Sequence, residues 1–292
     1  MALSSTQPSA FFLRADAGRN GQRYCRFYSA HGELPRGSVL YIHPFAEEMN
    51  KSRRMAALQS RALAQAGYTV MQIDLLGCGD SSGDFGEARW QDWVADVVQA
   101  IQCLRMRSAA HAGFSEQQPL WLWGLRAGCL LAAEAASQIA EPSNLLFWQP
   151  PASGAVLLQQ FLRLKIAGEM SGNTSKNMMA KLRAQLSDGS AVEVAGYSLG
   201  AALASGLDSA RAMPPSRAST PGAARRLELL EISSRPDAPL SPAGATVMSH
   251  FSAAGHAARS RVIVGPAFWQ TSEIAQAPDL LAATVAALAD SQ

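Results

Sequence analysis

Leu120-Trp121-Leu122-Trp123-Gly124-Leu125-Arg126-Ala127-Gly128-Cys129 is the stretch from which the architecture is read. Four consecutive large apolar residues are too few for a helix and read as a buried strand. Gly124 ends the run, and from Cys129 to residue 139 the apolar spacing becomes helical. A buried strand that turns sharply through glycines into a helix is one unit of an alternating β/α chain. Arg126 stands at the centre of the turn, a cation that offers donors only and cannot act as a nucleophile.

Working outward, the same unit recurs. Residues 38–42 read as a compact apolar strand, and residues 53–65 as a helix closed by Gly67, where a helix end favours glycine. Residues 69–74 form the next strand, followed by a glycine-rich loop and a helix over 90–107; residues 144–148 form another strand. Residues 11–28, with turn signals at Gly18-Arg19-Asn20-Gly21, suit an antiparallel hairpin. After Pro150-Pro151 the pattern gives way to a Met-rich, partly basic helical region, read as a cap inserted over the sheet at about 153–222. Strands resume at 227–232 and 261–264, and an Ala/Leu-rich helix over 279–289 follows. The expected fold class is α/β, one domain over 1–292, with a mostly parallel sheet and helices on both faces.

Composition agrees with a large core. Of 292 residues, 48% are apolar and 16% charged, far from the disordered class. A net charge of +2 on dispersed basic residues implies no nucleic-acid partner. Lys51-Ser52-Arg53-Arg54 reads as the solvated start of a helix. Cys25, Cys78, Cys103 and Cys129 lack metal or disulfide spacing, so no metal and no cofactor are expected. The polar first ten residues and the absence of any long apolar run point to the cytoplasm and to no transmembrane segment.

Several loops resemble those of α/β-hydrolases. Gly124-Leu125-Arg126-Ala127-Gly128 stands where these enzymes carry G-x-S-x-G, the elbow that lifts a nucleophile above the sheet. The glycines match; the nucleophile position holds Arg126. Asp74-Leu75-Leu76-Gly77-Cys78-Gly79-Asp80-Ser81 resembles their D-x-x-G-x-G-x-S turn, and its echo of the serine-protease string Gly-Asp-Ser-Gly-Gly is a decoy without that family's all-β setting. His43-Pro44-Phe45 resembles the oxyanion loop, with Phe45 supplying the N–H and Pro44 replacing a glycine; a plain strand-to-helix turn is the competing reading. After the last strand, where the superfamily places histidine, the chain reads Gly265-Pro266-Ala267-Phe268-Trp269-Gln270. His250 and His256 precede that strand, and Asp237 is the available acid. No Ser-His-Asp triad is recognisable.

Taken with HPFAEEMNKSRR (43–54), DLLGCGDSSGDF (74–85), WGLRAG (123–128), VAGYSLG (194–200) and GPAFW (265–269), the chain resembles the exosortase A system-associated hydrolase 2 family over about residues 10–285. The resemblance implies a cytoplasmic bacterial protein linked to the sorting of proteins with a PEP-type C-terminal signal and to exopolysaccharide production. It carries no established substrate.

Two uses of the site remain open. One keeps a catalyst, with Ser198 in the literal G-x-S-x-G of Gly196-Tyr197-Ser198-Leu199-Gly200 as nucleophile, or with Glu47 and Glu48 positioning water. Ser198 falls within the expected cap, after the elbow role is taken by residues 124–128, and the reading preferred for it is a structural turn that starts a helix over 201–207. The other makes Arg126, beside the N–H groups of Ala127 and Phe45, an anion-binding group, unless Glu47 or Glu48 turns inward and pairs with it. Phe45, Phe268 and Trp269 are expected near the cleft rim, with Phe161, Met170, Met178 and Met179 from the cap, as a lining for an acyl-bearing ligand or as plain packing. Substrate-binding candidates are therefore Arg126, Ala127, His43, Phe45 and Trp269. The expected activity is hydrolysis of an ester, thioester or other acyl substrate; the alternative is an inactive relative binding an anionic metabolite or a partner of the polysaccharide or sorting machinery.

Overall fold

The Leu-Trp alternation quoted above serves two apolar layers at once. In a strand, successive side chains face opposite sides, so Leu120 and Leu122 enter one buried layer while Trp121 and Trp123 enter the other. A strand buried on both faces belongs in the middle of a helix-covered parallel sheet. The computed structural model of the chain describes residues 7–16, 21–111, 113–169, 175–215 and 225–289.

The chain runs β1 (Ser9–Arg14), β2 (Gln22–Tyr28), β3 (Gly37–Ile42), α1 (Glu47–Gln65), β4 (Tyr68–Ile73), α2 (Trp90–Ala109), β5 (Leu120–Leu125), α3 (Ala127–Gln138) and β6 (Ser143–Trp148). Then follow α4 (Gly154–Glu169), α5 (Ser175–Ser187), β7 (Val192–Val194), β8 (Tyr197–Leu199), α6 (Ala201–Ser209), β9 (Arg226–Ser233), α7 (Pro242–Ala253), β10 (Ala257–Val264) and α8 (Pro278–Ala289). The eight-stranded sheet has the order β1-β2-β4-β3-β5-β6-β9-β10. From β4 to β10 the neighbours are parallel; β1 and β2 pair antiparallel, and β2 joins β4 antiparallel. This is the α/β-hydrolase fold, with α1 and α8 packed on one layer and α2, α3 and α7 on the other.

The departures from the sequence reading have local causes. Helix α1 starts at Glu47, not at residue 53, because Glu48 and Ser52 lie on its buried side and hide the apolar period. Lys51 to Arg54 thus sit within the helix rather than at its start, and Arg53 reaches Asp74 in a two-pronged contact at 3.3 and 3.0 Å. The region between β6 and β9 contains the antiparallel pair β7-β8 as well as three helices. Strand β10 begins at Ala257, four residues before the expected 261, because Ala257 to Ser260 are mostly exposed and carry no large apolar side chain to mark a strand. Residues 18–20 of the first turn, Met170, and residues 216–222 of the loop before β9 lie outside the described residues. Among the described residues no helix is long and apolar enough to cross a membrane.

Candidate functional site

In open α/β sheets, sites form where loops leave the carboxyl ends of the parallel strands. Between β5 and α3 the chain bends at Arg126 with φ 55 and ψ −115, a left-handed conformation that side chains rarely adopt. Two glycines make the bend fit. A Cβ at Gly124 would stand 2.4 Å from the Cys129 nitrogen, and one at Gly128 would stand 2.1 Å from the Ile42 carbonyl oxygen. The Arg126 N–H donates to the Trp148 carbonyl at 3.0 Å, fastening the bend to β6. Ala46, at φ 49 and ψ −124, makes a similar bend before α1 and delivers Glu47 and Glu48 to that helix's first turn.

The arginine side chain is committed within the protein. Its Nε meets Glu48 Oε1 at 3.2 Å, its Nη2 donates to Gln160 Oε1 of α4 at 2.7 Å, and its guanidinium carbon lies 6.0 Å from the Trp269 ring centroid. Of the arrangements open to the sequence, the structure thus holds the internal ion pair, through Glu48. Arg126 is buried, and Trp269 and Phe268 are buried too, packed with Ala277 and Leu280 rather than standing at a rim.

Glu48 is buried at 8% exposure, and that burial pushes its carboxyl up to about 7 against the opposing pull of Arg126. Burial also raises Glu47. The second oxygen of each carboxylate, Oε2, has no hydrogen-bond partner among the described residues. Both acids line a cavity of about 350 Å³ with Phe45, Leu157, Phe161 and Leu164 as its apolar part and Lys51, Gln160, Arg163 and Gln270 as its polar part. Glu48 and Gln160 stand between this cavity and the guanidinium they both hold.

The loop after β3 is closed on itself. His43 Nε2 accepts from the Leu75 N–H at 3.3 Å and Nδ1 lies 2.8 Å from the Pro44 carbonyl, an arrangement of a neutral ring protonated on Nδ1. Burial pushes the imidazole below its usual range. Such a ring orients the loop and offers no base to the cleft. The backbone N–H groups of Phe45 and Ala127, in residues exposed to 4% and 1%, find no acceptor among the described residues. The Phe45 ring packs edge-on against Phe85, Trp93 and Phe161, joining the sheet to α4. Met178 and Met179 pack against the same apolar layer.

Ser198 is placed elsewhere in the topology. It lies on β8 opposite Glu193, exposed, after a two-residue turn at Ala195 (φ 49) and Gly196 (φ 82). Two successive positive φ values are what a tight antiparallel hairpin requires. The G-x-S-x-G string is therefore a hairpin and not a strand-to-helix elbow, and Gly200 then caps α6. Asp237 is exposed on a turn. The buried acid at the end of β9, Glu231, holds Ser241 N and Oγ at 2.8 and 2.6 Å and so anchors the start of α7. His250 is exposed on α7, and His256 precedes β10, at the opposite end of the sheet from the elbow. Eight extended residues separate the ends of that strand by roughly 26 Å. In the glycine loop, Ser81 Oγ donates to the Asp74 carbonyl and accepts from Tyr24 N, a structural role for the decoy string.

Gln160 and Gln270 escaped the sequence reading. Gln160 sits on a helix whose apolar spacing gives no sign of the guanidinium beneath it, and Gln270 is on the segment where a histidine was sought.

The family model described as serine aminopeptidase, S33, matches residues 33–191, just over half of the chain. Est1E from Butyrivibrio proteoclasticus, solved with ferulic acid bound, is 12% identical with a TM-score of 0.61, covering 96% of each chain. A soluble variant of the monoglyceride lipase from Saccharomyces cerevisiae, in complex with a substrate analogue, is 13% identical with a TM-score of 0.60, over 99% of this chain and 97% of that one. A thermostable carboxyl esterase from Bacillus coagulans, in complex with glycerol, is 12% identical with a TM-score of 0.60, over 97% and 98%. At such identities the likeness concerns the fold. No curated protein sequence matches the chain.

Proposed function

The chain belongs to the family described as serine aminopeptidase, S33, and on that footing we propose that it is a hydrolase of the exosortase A-associated type that adds water directly to an acyl ester or thioester. In this reading Arg126 occupies the usual serine position, and the region 153–222 caps the cleft. The observation that carries it is Glu48. One of its oxygens is held by Arg126, the other is buried without a hydrogen-bond partner among the described residues, and its pKa of about 7 suits proton transfer near neutrality. Glu48 Oε2 takes a proton from water as the water oxygen bonds to the acyl carbon. The N–H groups of Phe45 and Ala127 receive the developing oxyanion. Glu48 then returns the proton to the departing oxygen or sulfur as the acyl bond breaks. By the family resemblance, the substrate belongs to cytoplasmic steps of bacterial exopolysaccharide production or of sorting by a PEP-type signal.

p-Nitrophenyl butyrate turnover by purified protein is expected to persist after fluorophosphonate treatment, to rise with pH through about 7, and to fall about a hundredfold or more in Glu48→Gln. A fluorophosphonate adduct lost in Ser198→Ala, or full activity in Glu48→Gln, overturns the proposal.

The position of Arg126 at the bend between β5 and α3, a cation that offers donors only, supports a second reading, a non-catalytic relative that binds an anionic metabolite or a partner of the polysaccharide machinery, which requires the anion to displace Glu48 from the guanidinium. It predicts thermal stabilisation by carboxylate or phosphate ligands that Arg126→Ala abolishes, with no turnover of any acyl substrate.

A further inference from the structure

A guanidinium clasps a carboxylate best with two parallel N–H groups, one to each oxygen. Arg126 and Glu48 are buried side by side, yet they are hydrogen-bonded at one point, Nε to Oε1 at 3.2 Å, and Glu48 Oε2 has no hydrogen-bond partner among the described residues. The nitrogen that would complete the clasp is engaged elsewhere. Arg126 Nη2 donates to Gln160 Oε1 at 2.7 Å, the shorter of the two contacts. A guanidinium only donates, so the amide presents its oxygen. Gln160 is held at this point by its neighbours on α4: Leu157 and Phe161 are buried in the apolar layer, and the Phe161 ring centroid lies 5.1 Å from that of Phe45.

This division of the arginine matters to the acid. Burial raises the Glu48 carboxyl to about 7 although a cation stands beside it; a carboxylate with both oxygens on a guanidinium is held lower. The other charged and titratable groups around Glu48 are Glu47 and Lys51 on its own helix, Tyr41 on β3 and Arg163 on α4. All of them stay in place when only the amide is changed. The geometry points to Gln160 as a positioning residue: by holding Nη2 of Arg126 from α4, it keeps the guanidinium from closing over Glu48 and leaves Oε2 free to act as the base. The inference rests on the hydrolase reading above and adds to it the control of the base by α4. Without the amide, Nη2 has water or Oε2 as its acceptor. The ionised oxygen wins, because charge-assisted hydrogen bonds are roughly twice as strong as neutral ones.

Carbon-13 NMR of protein labelled at the glutamate side-chain carboxyls tests this, with the Glu48 signal assigned by its loss in Glu48→Gln. Gln160 is exposed, so substitutions there are expected to fold, and thermal midpoints check it. Gln160→Met, close in length but without the acceptor, is expected to weaken proton binding by Glu48 at least about tenfold. Gln160→Glu keeps an acceptor on Nη2 and adds a negative charge, and is expected to strengthen that binding. A helix merely loosened by substitution shifts both variants in the same direction. Unchanged or tighter proton binding in Gln160→Met, or shifts of one sign in the two variants, overturns the inference. The pH profile of p-nitrophenyl butyrate turnover is scored separately: opposite NMR shifts without turnover keep the hold of Gln160 on the pair and reject hydrolysis, and turnover with an unmoved Glu48 does the reverse.

Discussion

Arg126 and Glu48 show what a buried pair demands of its members. Their side chains are 9% and 11% exposed, so removing one leaves the other charged and desolvated. Glu48→Ala is expected to lower the unfolding free energy by roughly 3–5 kcal/mol, while Arg126→Met combined with Glu48→Leu comes close to the wild type. Denaturant midpoints of the single variant and the double variant check this. Glu48 also fixes a pH dependence. Its folded pKa of about 7 lies above the ordinary 4.5, so between these values the folded chain holds a proton that the unfolded chain releases. Its contribution is fully present below pH 4.5, declines as pH rises to about 7, and is constant above. His43, lowered by burial, acts in the opposite sense on the acid side. The difference in stability between wild type and Glu48→Gln, measured from pH 4 to 8, is expected to move against the wild type as pH rises; a flat difference contradicts the assignment.

The elements around the site owe their positions to close backbone approach. Gly128→Ala pushes a methyl group into the Ile42 carbonyl, a backbone atom that cannot swing aside. The variant is expected to lose about 1–3 kcal/mol or more, read from its thermal midpoint. The strand-turn-helix unit around Arg126 was legible because Leu-Trp alternation and flanking glycines are local signals. The first turns of α1 were not legible, since a helix that buries Glu48 and Ser52 breaks the apolar period. Nor was the β7-β8 hairpin: Gly196-Tyr197-Ser198-Leu199-Gly200 matches an elbow in letters, and what distinguishes it is two positive φ values that the letters do not encode. At the site, Glu48 was named as one partner for Arg126, whereas Gln160 was missed because their contact spans 34 positions and follows no helix or strand period.

At the scale of the whole molecule, the sheet divides the tryptophans. Trp121, Trp123, Trp148 and Trp269 share the layer under α1 and α8, and Trp90 and Trp93 belong to the other. One sheet supplies both layers, so they are expected to unfold together. In a Trp90→Phe/Trp93→Phe variant, fluorescence then reports one layer and far-ultraviolet circular dichroism the whole; coincident transitions are expected, and separated midpoints mean the layers melt independently. The mostly parallel sheet with helices on both faces was legible in the alternation of β and α units, but contacts such as the buried Arg23–Asp96 pair, 73 positions apart, had no signature in the sequence. The 2.7 Å link from Arg126 to Gln160 ties the seam between the sheet and α4 at its root. If α4 swings outward, that rivet parts and water reaches the cation it had sealed in. Opening the molecule along this seam and wetting its central arginine are therefore one event, and the energy of hydrating that charge is set against the energy of exposing the apolar floor.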